Sequence, residues 1–437
     1  MTVRRWIGNG LDIQQVTTIE VTGTWATADT GTITCNGKDL TLTVGSTATI
    51  AEVVAAMVAA FNASSKTDAV RSDESRNVGG QEIPEFTEIE ATDTSPYITL
   101  TARTAGKPFT VSVSESTTGN GALGSPTNSV SATGKHFWDN ADNWTTGTIP
   151  ANTDDIYFDA GDVPCLYNID QNGLTLGSLN ITQNYEGYIG LPDYNEDNGA
   201  AVYREYREPY LKISATTVNV GQGAGNGSGR IKWNAGSVNT TLNVFNTGRT
   251  LEDGVESLQF VGTGSANVVN VKKGSVAIAR QAGETATVAT LKVSYNDNPA
   301  GDAQVRVGSG TTLTTVYAIA GTTEVFCAFT TARVWGGTLI TNGTGAVTTL
   351  DIDSGTVHSN STGTVTTATV GTEGALYMTG DPRARTIGTL NLHKDAIYDD
   401  SLGIVTLTNP VVTVQCSLDQ TRHKFGMNRT ATISAPA

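Results

Sequence analysis

The sequence has little of what most enzymes and disulfide-stapled scaffolds rely on. Its 437 residues hold four cysteines, Cys35, Cys165, Cys327 and Cys416, and no two lie near one another. That spacing gives neither a zinc pattern nor a disulfide framework, and cytosolic synthesis is the simplest expectation. The four histidines, His136, His358, His393 and His423, are scattered, with no H-E-x-x-H arrangement for a metal. A G-x-S-x-G nucleophile elbow is absent. No 18-residue apolar run exists to span a membrane. Arg4-Arg5 is followed by no apolar core, so neither a twin-arginine nor a Sec signal is expected. Basic residues number 27 against 42 acidic ones, a net charge of −15. Phosphate binding needs a basic face, so nucleic acid is not an expected partner.

What the chain does have is threonine, serine, valine and 48 glycines, a β-rich composition. The clearest pattern lies between Thr349 and Tyr398. Ile352 leads through Asp353-Ser354-Gly355 to Val357, Val370 through Thr372-Glu373-Gly374 to Leu376, and Leu392 through His393-Lys394-Asp395 to Ile397. An upstream copy runs from Val334 through Gly336-Gly337 to Leu339. The anchors Val334, Ile352, Val370 and Leu392 are 18, 18 and 22 residues apart. Short alternating strands repeating at about 20 residues, joined by bends of small residues, mark a solenoid whose rungs bury their apolar rows only by stacking. A β-sandwich also puts turns about every 10 residues, but the recurrence here is of rungs rather than hairpins. The expected fold class is mainly β: a small α+β N-terminal domain followed by a right-handed parallel β-helix.

Four segments follow from this. Residues 1–125 read as a small α+β docking domain. Within it Asn36-Gly37 marks a hairpin. Thr49 and Glu52 form a capping box ahead of Ile50, Val53, Val54, Met57, Val58 and Phe61 at helical spacing. Strands are expected over 86–91, 97–102 and 109–114, and an exposed loop over 66–82. Residues 126–160 read as a linker, part of a Gly/Ser/Asn/Thr stretch at 117–133, and a cap in which Trp138 and Trp144 plug the open end of the solenoid. Residues 161–410 read as the β-helix, with an insertion at 184–210 that carries six tyrosines. Residues 411–437 form a tail that pairs with the last rung or reaches a neighbour.

Candidate chemistry is sparse. Asp154, Asp155 and Asp159 flank a strand, and Asp193, Glu196 and Asp197 lie in the insertion. Two carboxylates across a groove would make a glycosidase, yet a solvated acidic face explains both clusters. Asp139, Asn140, Asp142 and Asn143, or Asp351 and Asp353, offer oxygen ligands for calcium, but Asx residues at turns explain them as well. The run Gly221-Gln222-Gly223-Ala224-Gly225 lacks nucleotide-loop spacing. No catalytic residue, metal ligand or cofactor is assigned.

The N-terminal stretch RRWIGNGLDIQQVTTIEVTGTWATADTGTITCNGKDLTLTVG, the helix IAEVVAAMVAAFN and the strands ITLTARTAGKPFTVSVSE resemble a module of tailed-bacteriophage virion structural proteins. FWDNADNWTTGTIPANTDDIYFD followed by LTLGSLNI is similar to segments that follow that module in the same proteins. The resemblance covers about residues 1–181. It implies a non-enzymatic virion surface protein that decorates or cements the capsid shell, with the major capsid protein as partner and the capsid surface as its location. A homotrimer is implied by analogy, with no membrane contact. The alternative is a tail fibre or tailspike that binds host-surface polysaccharide, with or without depolymerase activity. Val3, Trp6 and Ile7, which precede the first strand of the module, are the expected capsid-docking residues, a tryptophan standing where an anchor would sit. Tyr188, Tyr194 and Tyr203 are the expected subunit contacts, because tyrosine is enriched where surfaces are buried between chains.

Overall fold

A computed structural model describes residues 2–64, 83–195, 203–248, 255–294, 303–409, 411–414, 422–425 and 432–434. The expected loop at 66–82, together with Glu196, Asp197 and Cys416, lies outside the described residues. The chain is mainly β, and its largest element is a 25-stranded sheet wound as a parallel solenoid. From Leu211–Gln222 onward strands alternate between two faces, and most pair in parallel with the strand two positions on. One face runs through Phe329–Val334, Val347–Ile352, Val365–Val370 and Arg385–Leu392. The other runs through Thr338–Thr341, Thr356–Ser359, Ala375–Tyr377 and Ile397–Asp400.

The anchors named from sequence stack as one inward column: Val334 on Ile352, Ile352 on Val370, Val370 on Leu392. All are buried. A second column stacks Leu339, Val357 and Leu376. The alternation that sends these residues in sends Thr331, Thr349, Thr367 and Thr389 outward as a threonine row. One inward residue differs from expectation. Leu376 stacks on Tyr398, not Ile397, and the Tyr398 ring is buried. The bend after Leu392 has the same length as the bend after Val370, so the inward residue falls at Tyr398 just as it falls at Leu376, one position later than in the shorter bend from Ile352 to Val357.

Upstream rungs keep the same column but not the same length. The inward residues Val220, Val244, Val271, Val293, Ala318 and Val334 are separated by 24, 27, 22, 25 and 16 residues. Outside this column four asparagines form a ladder. Asn219 donates to Asn180 (2.9 Å), Asn243 to Asn219 (3.1 Å) and Asn270 to Asn243 (3.0 Å). Each amide thereby satisfies its neighbour on a partly buried face.

The segment after the first strand folds into two antiparallel sheets with one helix against them. Thr30–Cys35 pairs with Lys38–Thr43 across Asn36-Gly37, whose φ values of 52° and 74° suit a two-residue hairpin turn. The helix Ile50–Ser64 starts where the capping box puts it: Thr49 donates its backbone N–H to Glu52 (2.8 Å), and Glu52 donates back to the Thr49 hydroxyl (3.4 Å). Val53, Val54, Met57 and Phe61 are its buried face, and Phe61 stacks on Phe86 at 4.4 Å. The strand expected from residue 86 begins only at Ile89, because Pro84 opens a 3-10 turn, Pro84–Glu88, ahead of it. The stretch expected as a linker is partly strand: Ala122–Leu123 and Thr127–Val130 pair with Val16–Thr22. Its small polar residues read as loop because these strands carry a single buried apolar side chain, Leu123.

The very start of the chain is not in these sheets. Val3–Arg5 pairs in parallel with Asp155–Phe158 and forms the edge strand of the solenoid. The chain thus opens the first rung, leaves to build the antiparallel sheets, and returns beside its own exit, with Ile13 bridged to Thr133 and Trp6 to Trp144.

Candidate functional site

The aspartates around the first rung hold this junction together. Asp154 accepts from Thr2 N (3.1 Å), Ala151 N (3.0 Å) and the Arg4 guanidinium (2.5 Å). Burial alone would raise its pKa, but Arg4 and the two backbone donors outweigh burial and hold it below the usual carboxylate value. Asp155 accepts from Ser178 (2.7 Å), and Asp159 pairs with Arg5. In the tryptophan motif Asn140 accepts from Asp142 N (3.0 Å), Asp139 from Asn168 (2.8 Å), and fully buried Asn143 donates to Gly134 and Phe137 carbonyls, both 2.8 Å. These Asx residues make turns. Among the described residues no group of three His, Cys, Asp or Glu is placed to hold a metal, and no described helix is long and apolar enough to cross a membrane.

Of the expected docking residues, Trp6 is 2% exposed. Its ring packs edge-on to Trp144 at 5.2 Å, and its indole N–H donates to Val163 O (2.9 Å). With Trp138, Phe158 and Tyr185 it fills the end of the solenoid core. Val3 and Ile7, on the same edge, are exposed. Leu11, which the sequence reading passed over, is 77% exposed, and Ile13, Val130 and Ile149 are exposed as well. Among the described residues, six of the ten exposed large apolar side chains therefore belong to the edge strand, the segment that follows it and the returning chain. The sequence signal was present: apolar residues at 3, 7, 11 and 13 with no strand partner nearby in the chain.

The tyrosine-rich insertion is folded back on its own chain. Tyr203 is buried and its hydroxyl donates to Glu88. Glu88 also pairs with Lys107 (2.7 Å) and Arg207 (3.7 Å), and Glu205 holds Arg207 through two contacts of 2.7 and 2.9 Å. Burial disfavours the Arg207 cation, but Glu205 and Glu88 more than compensate and raise its pKa. This network joins the 3-10 turn Pro84–Glu88, within the N-terminal unit, to the insertion on the solenoid. Tyr188 is half-buried with the Arg230 guanidinium over its ring at 4.2 Å. Tyr194 is 56% exposed.

Between these parts lies a cleft in two lobes, about 560 and 780 Å³, that share Pro192, Asp193, Tyr194 and Glu205. Its floor is the outer face of two solenoid rungs, where Lys232 and Gln259 are register partners. Asp193 accepts from Lys232 and from Gln281 (2.8 Å). Burial would raise the Asp193 pKa, but Lys232 and Gln281 hold it low, the opposite of what a glycosidase's general acid requires. Burial pushes the Lys232 amine down against the pull of Asp193. Tyr210 donates to Glu284 and lies 3.3 Å from Gln259 Oε1, while Gln259, 1% exposed, has no hydrogen-bond partner for its amide nitrogen among the described residues. No family model, curated protein or solved structure matches this chain.

Proposed function

We propose that the chain is a non-enzymatic surface protein of a tailed-phage virion that decorates or cements the capsid shell, assembled as a homotrimer. In this reading the helix and antiparallel sheets form a small α+β docking module, and the β-helical body projects from it. The observation that carries the reading is the exposed apolar set Val3, Ile7, Leu11, Ile13 and Ile149, carried by the edge strand Val3–Arg5, the segment that follows it and the returning chain. Exposed apolar side chains concentrated in one part of the chain favour burial against another protein. The major capsid protein is the proposed occupant, and the trimer rests on analogy with β-helical phage proteins. Trp6 supports the grip from within by fixing the edge strand, so the contact itself falls to Val3, Ile7 and Leu11.

The test mixes purified protein with undecorated shells. Wild-type protein is expected to co-sediment. The double variant Ile7→Asp/Leu11→Asp, at two exposed positions, is expected to stay folded and lose binding. Undiminished binding by that variant overturns the docking surface. A monomer by light scattering at micromolar concentration overturns the trimer.

A further inference from the structure

We infer that the two-lobed cleft is a binding site for an uncharged glycan segment. Most charges in its walls are already matched: Lys232 with Asp193, Arg207 with Glu205, Lys135 with Asp12, and Glu256 with Arg280. The Arg230 guanidinium covers Tyr188 and donates to Gly190 O (3.1 Å). With these charges paired within the protein, the walls offer little net charge for recognising a phosphate or an anionic polymer.

Neutral recognition groups remain. Gln259 is nearly inaccessible, yet its amide nitrogen has no partner among the described residues, and a buried unpaired amide is unfavourable unless something accepts from it. It lines the cleft, where a ligand hydroxyl that displaces a wall contact would satisfy it. The exposed ring of Tyr194, which lines both lobes, offers an aromatic face. A pyranose ring has a C–H face that packs on an aromatic ring and an edge of hydroxyls that both donate and accept. Aliphatic side chains, which would favour an apolar ligand or peptide anchor, are few here: Leu166, Leu191 and Val255. Asp193, held ionised by Lys232, serves as an acceptor of hydroxyl protons rather than as an acid.

The full-length protein is applied to a printed array of neutral and of charged oligosaccharides, and the strongest neutral hit is titrated by calorimetry. Binding to a neutral oligosaccharide is expected. Tyr194→Ala is expected to weaken it by about tenfold or more with unchanged thermal unfolding, since the ring is exposed. Gln259→Leu keeps the volume but removes the amide and is expected to weaken binding similarly. Failure to bind any neutral oligosaccharide, binding confined to charged ones, or wild-type affinity in Tyr194→Ala would each overturn the inference. Shell co-sedimentation of Tyr194→Ala is measured alongside, so that loss of glycan binding and loss of docking are told apart.

Discussion

Val370 offers the sharpest test of the rung register. It is fully buried between Ile352 and Leu392. Val370→Ala removes two methyl groups at about 0.8 kcal/mol each, and the residual cavity brings the loss to about 2–3 kcal/mol. Val370→Asp adds a carboxyl group. Holding it neutral near pH 7, from a reference pKa of about 3.9, costs about 4 kcal/mol. Its unpartnered polar atoms cost about 1–3 kcal/mol more, so the aspartate variant should lose about 6–9 kcal/mol in all. The sign of the pH dependence follows. In the folded variant this carboxyl's pKa is raised, so its penalty grows as pH rises through the unfolded value and shrinks by up to about 4 kcal/mol as pH falls toward that value. Thr366→Asp, on an exposed position of the same strand, is the control and should change stability by no more than about 0.5 kcal/mol. Denaturant unfolding gives the magnitudes. Hydrogen exchange locates the loss, which should centre on the rungs above and below, because solenoid rungs touch only their neighbours. Equal stability of Val370→Asp and wild type, or a smaller loss than Val370→Ala, would refute the inward placement.

Other consequences are more local. Tyr203→Phe removes the hydroxyl that Glu88 accepts; it should cost about 1–2 kcal/mol and speed exchange in the strand Tyr203–Arg204 and the turn Pro84–Glu88 before it affects the solenoid. Asp154, with its pKa lowered in the folded state, stabilises the edge strand above its unfolded pKa, and this is lost as pH falls through the folded value. Asp154→Asn should therefore destabilise the edge strand at neutral pH and differ little from wild type in strong acid, as read from tryptophan fluorescence across an acid titration. Trp144→Ala should cost about 3–5 kcal/mol in thermal unfolding, since it touches Trp6, Trp138 and Phe158. Cys35, Cys165 and Cys327 are buried free thiols whose pKa values burial raises; a thiol reagent should label them only after unfolding.

The sequence was most legible where structure is local. The helix was readable because its cap and its apolar spacing sit within 15 residues. The column from Val334 to Leu392 was readable because those rungs are short and nearly equal. Between Val220 and Val334 the same column exists, but loops vary the spacing from 16 to 27 residues and hide the period. Tyr398 lies one residue beyond the Ile397 that the pattern predicts, because the bend after Leu392 has the length of the bend after Val370 and not that of the shorter bend after Ile352. Least legible was the edge strand. Val3 pairs with Asp155, and nothing in a window of neighbouring residues encodes a partner so distant. The insertion was read as a surface for another chain because its tyrosines are many; buried Tyr203 and Tyr210 are instead joined to Glu88 and Glu284. The cleft was not legible at all, since Lys232, Gln259 and Asp193 meet only once the rungs are wound.

The doubling back of the chain at its start has a mechanical side. Because the first strand lies in the solenoid and the antiparallel sheets hang between that strand and its return, two covalent strands leave the rod side by side. A third attachment runs through Glu88 to the insertion. Tension along the rod therefore cannot simply extend a slack tether. It must shear Val3–Arg5 from Asp155–Phe158 while prising Trp6 from its aromatic neighbours, a parallel loading of several bonds at once. A rod joined in this way transmits twist as well as pull to the antiparallel sheets.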